Sequence, residues 1–102
     1  MSEIMPCQEI RTRLVRSFLD VTVMSMLSEE PLWGYRLMTL LNERYGVRVR
    51  PPTIYPLLDT MESEGFIVGE ETVSGKRKRK QYRVTNRGLA QIACLKTVIS
   101  EI

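Results

Sequence analysis

The densest chemistry in this chain is a run of five cations, Lys76, Arg77, Lys78, Arg79 and Lys80, with no acid among them. Guanidinium and ammonium groups donate hydrogen bonds and accept none. Arg presents a planar fork to a phosphate, and Lys a compact charge. Such a run is a solvated loop, a nuclear import signal, or a surface that meets polyanions. Its flanks decide between them. Catalytic chemistry is poorly supplied. The chain has no histidine, so imidazole general bases and histidine-ligated metals are excluded. Cys7 and Cys94 form no CxxC pair and have no zinc spacing, and both are read as inert thiols. Glu62, Glu64, Glu70 and Glu71 are close in sequence and read as a solvated face. There is no nucleophile elbow, phosphate loop or dinucleotide fingerprint. The expectation is a non-enzyme with no catalytic residue, no metal and no cofactor.

The cations are unevenly spread. Residues 1–71 hold seven Lys and Arg against eleven Asp and Glu, a net −4, while residues 72–102 hold eight against one, a net +7. The overall +3 hides this asymmetry. A basic block on a mildly acidic chain points to one localised anionic contact surface. With 102 residues, 43% hydrophobic and 26% charged, the chain has the make-up of one small globular domain. No apolar segment approaches the roughly 18 residues of a membrane span. The N-terminal stretch lacks the basic start and apolar run of a secretory signal. The expected location is the cytoplasm, with no membrane partner.

Four helical segments and one hairpin must position the cations. Leu14, Val15, Phe18, Leu19, Thr22, Val23, Met26 and Leu27 recur at helical spacing, predicting a first helix over about 9–27. Pro31 closes that segment. A second helix is predicted over 33–45, with Leu37, Met38, Leu41 and Tyr45 on one face and Gly46 as C-cap. Pro51 and Pro52 read as a stiff connector that opposes helix before Thr53. A third helix is predicted over 53–64, with Thr53 as N-cap, Pro56 in the tolerant first turn, and Ile54, Leu57, Leu58 and Met61 as the core stripe. The pattern then changes to β-branched and aromatic residues around a glycine turn, predicting a hairpin over 66–84. In that hairpin Ser74 to Arg79 form the tip, and Tyr82 turns inward. A last helix is predicted over 86–101, with Thr85 as N-cap.

Three helices followed by a two-stranded hairpin make a winged helix-turn-helix, a mainly α fold with a small β-hairpin (α+β), in one domain over 1–102. In that architecture the third helix enters the major groove of double-stranded DNA and the hairpin, or wing, lies on the backbone. The candidate DNA-binding residues are Arg48, Arg50, Pro52, Thr53, Tyr55 and Ser63 around the third helix, and Lys76, Arg77, Lys78, Arg79 and Lys80 on the wing. Each has a plainer alternative: a cap for Thr53, packing for Tyr55, an exposed connector for the two arginines. Asp59 is a weaker candidate, since it repels phosphates and must accept from a base amine to contact DNA. Trp33 is either a core anchor or the candidate contact for a small aromatic effector at a dimer interface.

The segments WGYRLMTLLNERYG, PPTIYPLLDTMESEGFI and KRKQYRVTNRG resemble the PadR family of transcriptional regulators. The family's features fall at Gly34–Tyr35, Thr53–Leu58, Met61–Glu62 with Gly65, and Tyr82–Gly88, so the resemblance covers roughly residues 14–90. It implies a homodimeric DNA-binding repressor, released from its operator by a small ligand. The terminal segments agree with pairing, because Ile4, Met5, Ile10, Val98, Ile99 and Ile102 are apolar beyond what one small core takes up. The N- and C-terminal helices are therefore the expected dimer interface. An architectural DNA-binding protein and a winged-helix protein-interaction module remain as alternatives.

Overall fold

The computed structural model describes Cys7, Glu9, Ile10, Leu14 and residues 18–102. Helix α1 spans Leu19–Glu29, strand β1 Leu32–Trp33, helix α2 Gly34–Tyr45 and helix α3 Pro51–Ser63. Strands β2, Ile67–Ser74, and β3, Arg77–Val84, precede helix α4, Asn86–Ser100. Cys7, Glu9, Ile10 and Leu14 are also helical, in keeping with a first helix that begins well before α1. The remaining residues of that expected helix, Val15 among them, and the apolar Ile4 and Met5 lie outside the described residues.

The core forms where the helical periodicity places it. Val23, Leu37, Leu41, Ile54 and Leu58 are fully enclosed, Met61 nearly so, and Leu57 is packed at the core's edge. Gly46 ends α2 in the left-handed region at φ 68°, where glycine carries no Cβ penalty, and its N–H donates to the Asn42 carbonyl at 2.8 Å. The link from α2 to α3 is extended and alternates strictly. Val47 and Val49 are buried, while Arg48 and Arg50 point out.

The start of α3 differs from the sequence expectation. The N-cap is Arg50, whose carbonyl accepts from the N–H groups of Thr53 and Ile54, and Pro51 and Pro52 are the first two helical residues. Thr53 therefore lies inside the helix and caps nothing. The reason is general: N–H groups of a first turn have no helical acceptor, so two prolines there lose no bond and arrive with a suitable φ. Pro56 is correspondingly in the second turn, where it removes the rung from residue 56 to the Pro52 carbonyl.

The sheet has three strands in the order β1-β3-β2, both pairs antiparallel. Strand β1 was not foreseen. It pairs Leu32 with Tyr82 and Trp33 with Gln81, which makes β3 the central strand. At its far end Val84 leads into Thr85, which caps α4 as expected. The Thr85 hydroxyl accepts from the Gly88 N–H at 3.1 Å and lies 3.0 Å from the Phe66 carbonyl oxygen. Gly88 is needed for this close approach. A Cβ there would run into the Phe66 carbonyl and lie 2.6 Å from Val84 Cγ2.

Candidate nucleic-acid interface

The hairpin turns on two residues, Gly75 and Lys76, with Gly75 at φ 63°. This corrects the expected extent of the tip. Only Lys76 sits in the turn, and Arg77, Lys78, Arg79 and Lys80 are strand residues paired with Ser74, Val73, Thr72 and Glu71. A tight glycine turn lets the ladder resume at once, and charge does not prevent strand formation when one face is solvated.

Strand alternation then divides the basic run. Lys78, Lys80 and Tyr82 share one face of β3, and Arg77, Arg79 and Gln81 the other. Tyr82 is 2% exposed and belongs to the core, as expected. Burial raises the pKa of its phenol above the ordinary value. Lys80 on the same face is occupied within the fold. Its ammonium lies 2.7 Å from a Glu62 carboxylate oxygen and 5.6 Å from the centre of the Tyr82 ring. On the opposite face the Arg79 guanidinium stands 5.2 Å over the Trp33 ring, a cation–π contact that leaves its charge intact. Among the described residues, Lys76, Arg77, Lys78 and Arg79 make no ion pair, whereas Arg83 is paired with Glu70.

The cations of β3 border a groove of about 860 Å³ that reaches from the wing to the first turns of α2 and α3. Trp33, Tyr35 and Tyr55 give it aromatic walls, and Arg36 adds a further cation. Tyr35 is 75% exposed and Tyr55 40%. The Tyr55 ring lies against Gly34, so closely that a Cβ on Gly34 would stand 2.7 Å from Cε1 of the ring. Trp33 lies in this groove, half-buried, and its indole N–H is enclosed without an acceptor among the described residues.

The outer face of α3 carries Pro52, Thr53, Tyr55, Asp59 and Ser63, all exposed. Ser63 donates its hydroxyl to the Thr60 carbonyl at 3.3 Å, which leaves the oxygen able to accept. Arg48 and Arg50 are exposed beside the N-terminus of α3. The groove thus brings together Tyr55, Trp33, Arg77, Lys78, Arg79 and Lys80 from the sequence-based set. The groove walls do not include Arg48, Arg50, Pro52, Thr53 or Ser63. Tyr35 and Arg36 line the groove and were not in the sequence-based set. The signal was available: Gly34 and Tyr35 open the helix that the wing faces.

The four carboxylates expected on a solvated face behave differently from one another. Glu64, Glu70 and Glu71 are exposed. Glu62 is half-buried, accepts from Lys80 and from the Gly69 N–H at 3.0 Å, and its pKa is lowered, chiefly by the Lys80 hydrogen bond. The partner effect raises the pKa of Lys80. Among the described residues no cluster of three metal-binding side chains occurs, and no helix is long and apolar enough to cross a membrane.

A family model described as the transcriptional regulator PadR-like family matches residues 23–94. The chain is 37% identical over 59 residues to the transcriptional regulator Rv3488 of Mycobacterium tuberculosis, a match covering 58% of this chain and 55% of that protein. It therefore spans about half the length of this curated relative. Its fold is similar to the crystal structure of a PadR family transcriptional regulator from Eggerthella lenta, with a TM-score of 0.80, 33% identity, and coverage of 86% of this chain and 77% of that one. It is also similar to Bacillus subtilis PadR crystallised with operator DNA, with a TM-score of 0.70, 26% identity, and coverage of 76% and 44%.

Proposed function

The chain belongs to the PadR-like family of transcriptional regulators, and from that premise we propose that it is a homodimeric, sequence-specific DNA-binding repressor acting in the cytoplasm. The observation that carries the proposal is the groove in which α3, the start of α2 and the cationic strand β3 converge on one surface. The exposed face of α3 is the recognition surface for base edges. Tyr55 and Thr53 stand at its N-terminal end, with Ser63 and Pro52 at its margins. Arg77, Lys78 and Arg79 hold backbone phosphates, and Lys76 extends that contact at the turn. Arg48 and Arg50 serve phosphates beside the N-terminus of α3. Phosphate contacts supply affinity and register, and base contacts supply the choice of sequence.

Support for a dimer comes from apolar side chains left in solvent at the ends of the chain. Leu14, Phe18, Leu89, Val98, Ile99 and Ile102 are all exposed in the single subunit. A two-fold pairing through these terminal segments would cover them and present two α3 helices to the DNA, for which the general half-site spacing is about 34–36 Å, one turn of duplex. A small aromatic effector belongs to the same proposal. Trp33, Tyr35 and Tyr55 give the groove aromatic walls that suit a flat molecule.

Selection of bound sequences from a random duplex pool tests the reading. The expected result is a two-fold symmetric pair of half-sites whose binding survives excess random duplex. Enrichment of no sequence, with complete loss of binding to the random competitor, would favour an architectural role instead.

A further inference from the structure

We propose that Glu62 is a positioning residue: it ties the wing to the recognition helix and so fixes the angle at which the two meet DNA, a role that rests on the DNA-binding reading above. Glu62 lies in the last turn of α3. One oxygen of its carboxylate accepts from the Gly69 N–H on β2 at 3.0 Å, and the other from the Lys80 ammonium on β3 at 2.7 Å. A single side chain therefore joins the helix to both strands of the wing. Among the described residues it is the only ion pair between α3 and the wing. It is also the most sheltered of the four, its side chains 37% and 28% exposed.

The path of Lys80 shows that the site is built for this contact. Its aliphatic stem crosses β2 at Gly69. A Cβ on Gly69 would collide with that stem and stand 3.0 Å from Cε1 of Tyr82. The missing side chain at Gly69 thus makes room for Lys80 to reach Glu62 across the core-facing Tyr82. Gly69 takes no left-handed φ that would otherwise call for glycine. The cation at the end of the basic run is accordingly an internal strut, while its neighbours face outward.

Charge alone and positioning predict opposite signs. Glu62 puts a negative charge beside a surface proposed to meet phosphates. Removing it adds one positive charge per subunit and releases Lys80, so a purely electrostatic role predicts tighter binding. A positioning role predicts weaker binding to the selected duplex, because helix and wing no longer engage together.

The test compares Glu62→Ala, Lys80→Met and the double variant with wild type on the duplex selected from the pool and on a random duplex. Each single variant is expected to lose at least about tenfold on the selected duplex, the scale of one lost specific contact. The double variant should lose no more than the worse single one, because both break the same link. On the random duplex, Glu62→Ala should bind as tightly as wild type or tighter. In the free protein, amide exchange across 67–84 should accelerate in all three while α1 and α2 keep their protection. Unchanged or tighter binding of the selected duplex by Glu62→Ala, or unchanged exchange in the wing, would overturn the proposal. If wild type enriches no duplex, the specific-DNA reading fails by itself and the exchange measurement still decides whether Glu62 holds the wing.

Discussion

Replacing Arg77 and Arg79 together by alanine should flatten the salt dependence of DNA binding by a calculable amount. Both lie on the same face of β3, both border the groove, and neither has a carboxylate partner among the described residues. In a dimer the variant removes four cations. Each phosphate neutralised contributes about −0.9 to the slope of log K against log salt, so the slope should become shallower by about 3.6. Between 50 and 200 mM salt, wild-type affinity should therefore fall about 150-fold further than that of the variant. Fluorescence anisotropy with a labelled duplex across a salt series measures this directly. Selected and random duplexes should lose affinity in parallel, since phosphates carry no sequence information. Arg83→Ala is the control. Its guanidinium is on the same face but paired with Glu70, so it should change the slope by less than about one. A double variant whose slope stays within about one of wild type would refute the assignment of these two arginines to phosphates.

Three further outcomes are expected. Gly34→Ala should leave urea stability near wild type, because the atom its Cβ meets is the far end of the Tyr55 side chain, which can move. It should nonetheless weaken and alter sequence selection by displacing that ring, and unchanged selection would remove Tyr55 from the interface. Gly88→Ala should destabilise by about 2 kcal/mol or more, since its Cβ meets the Phe66 carbonyl and no flexible side chain can yield. The urea midpoint checks it, and a midpoint at or above the wild-type value would contradict the close packing of α4 against Phe66 and Val84. Glu62→Gln should soften the acid limb of stability. The Glu62 pKa is lowered in the fold, so the contribution of its pair with Lys80, to which Asp59 and Tyr82 are electrostatically coupled, is fully present above the unfolded value of about 4.3 and is lost as pH falls from there through the lowered folded value. Identical acid limbs for wild type and variant would show that the pair adds nothing to folding.

The helices were legible because their apolar residues repeat at the helical period and their ends carry glycine or threonine. Ile54, Leu58 and Met61 are buried as that period requires. The start of α3 was misjudged because the tolerance of a first turn for proline was applied to Pro56 alone, when Pro51 and Pro52 use it. Strand β1 was illegible for another reason. Two residues have no periodicity, and their partners, Tyr82 and Gln81, are about fifty positions away along the chain. The same distance effect hid the fate of Lys80. Local sequence shows a fifth cation in a row, and only the fold shows that residue 62 is waiting for it. The identity of the basic surface was readable from composition, but the division of labour within it depends on which side of a strand each residue takes.

That division makes the wing sensitive to phase. A single-residue deletion between Arg79 and Lys80 is impossible without removing one of them, but a single insertion there would leave the count of cations and the net charge unchanged. It would nevertheless turn every following side chain of β3 to the opposite face unless a bulge absorbed it. Lys80 would then point away from Glu62 and Tyr82 away from the core. Two chains could thus share an equally basic wing and differ completely in whether that wing is held. Among relatives, the parity of the spacing between the glycine turn and the buried tyrosine would be a better guide to a working wing than the number of lysines and arginines it contains.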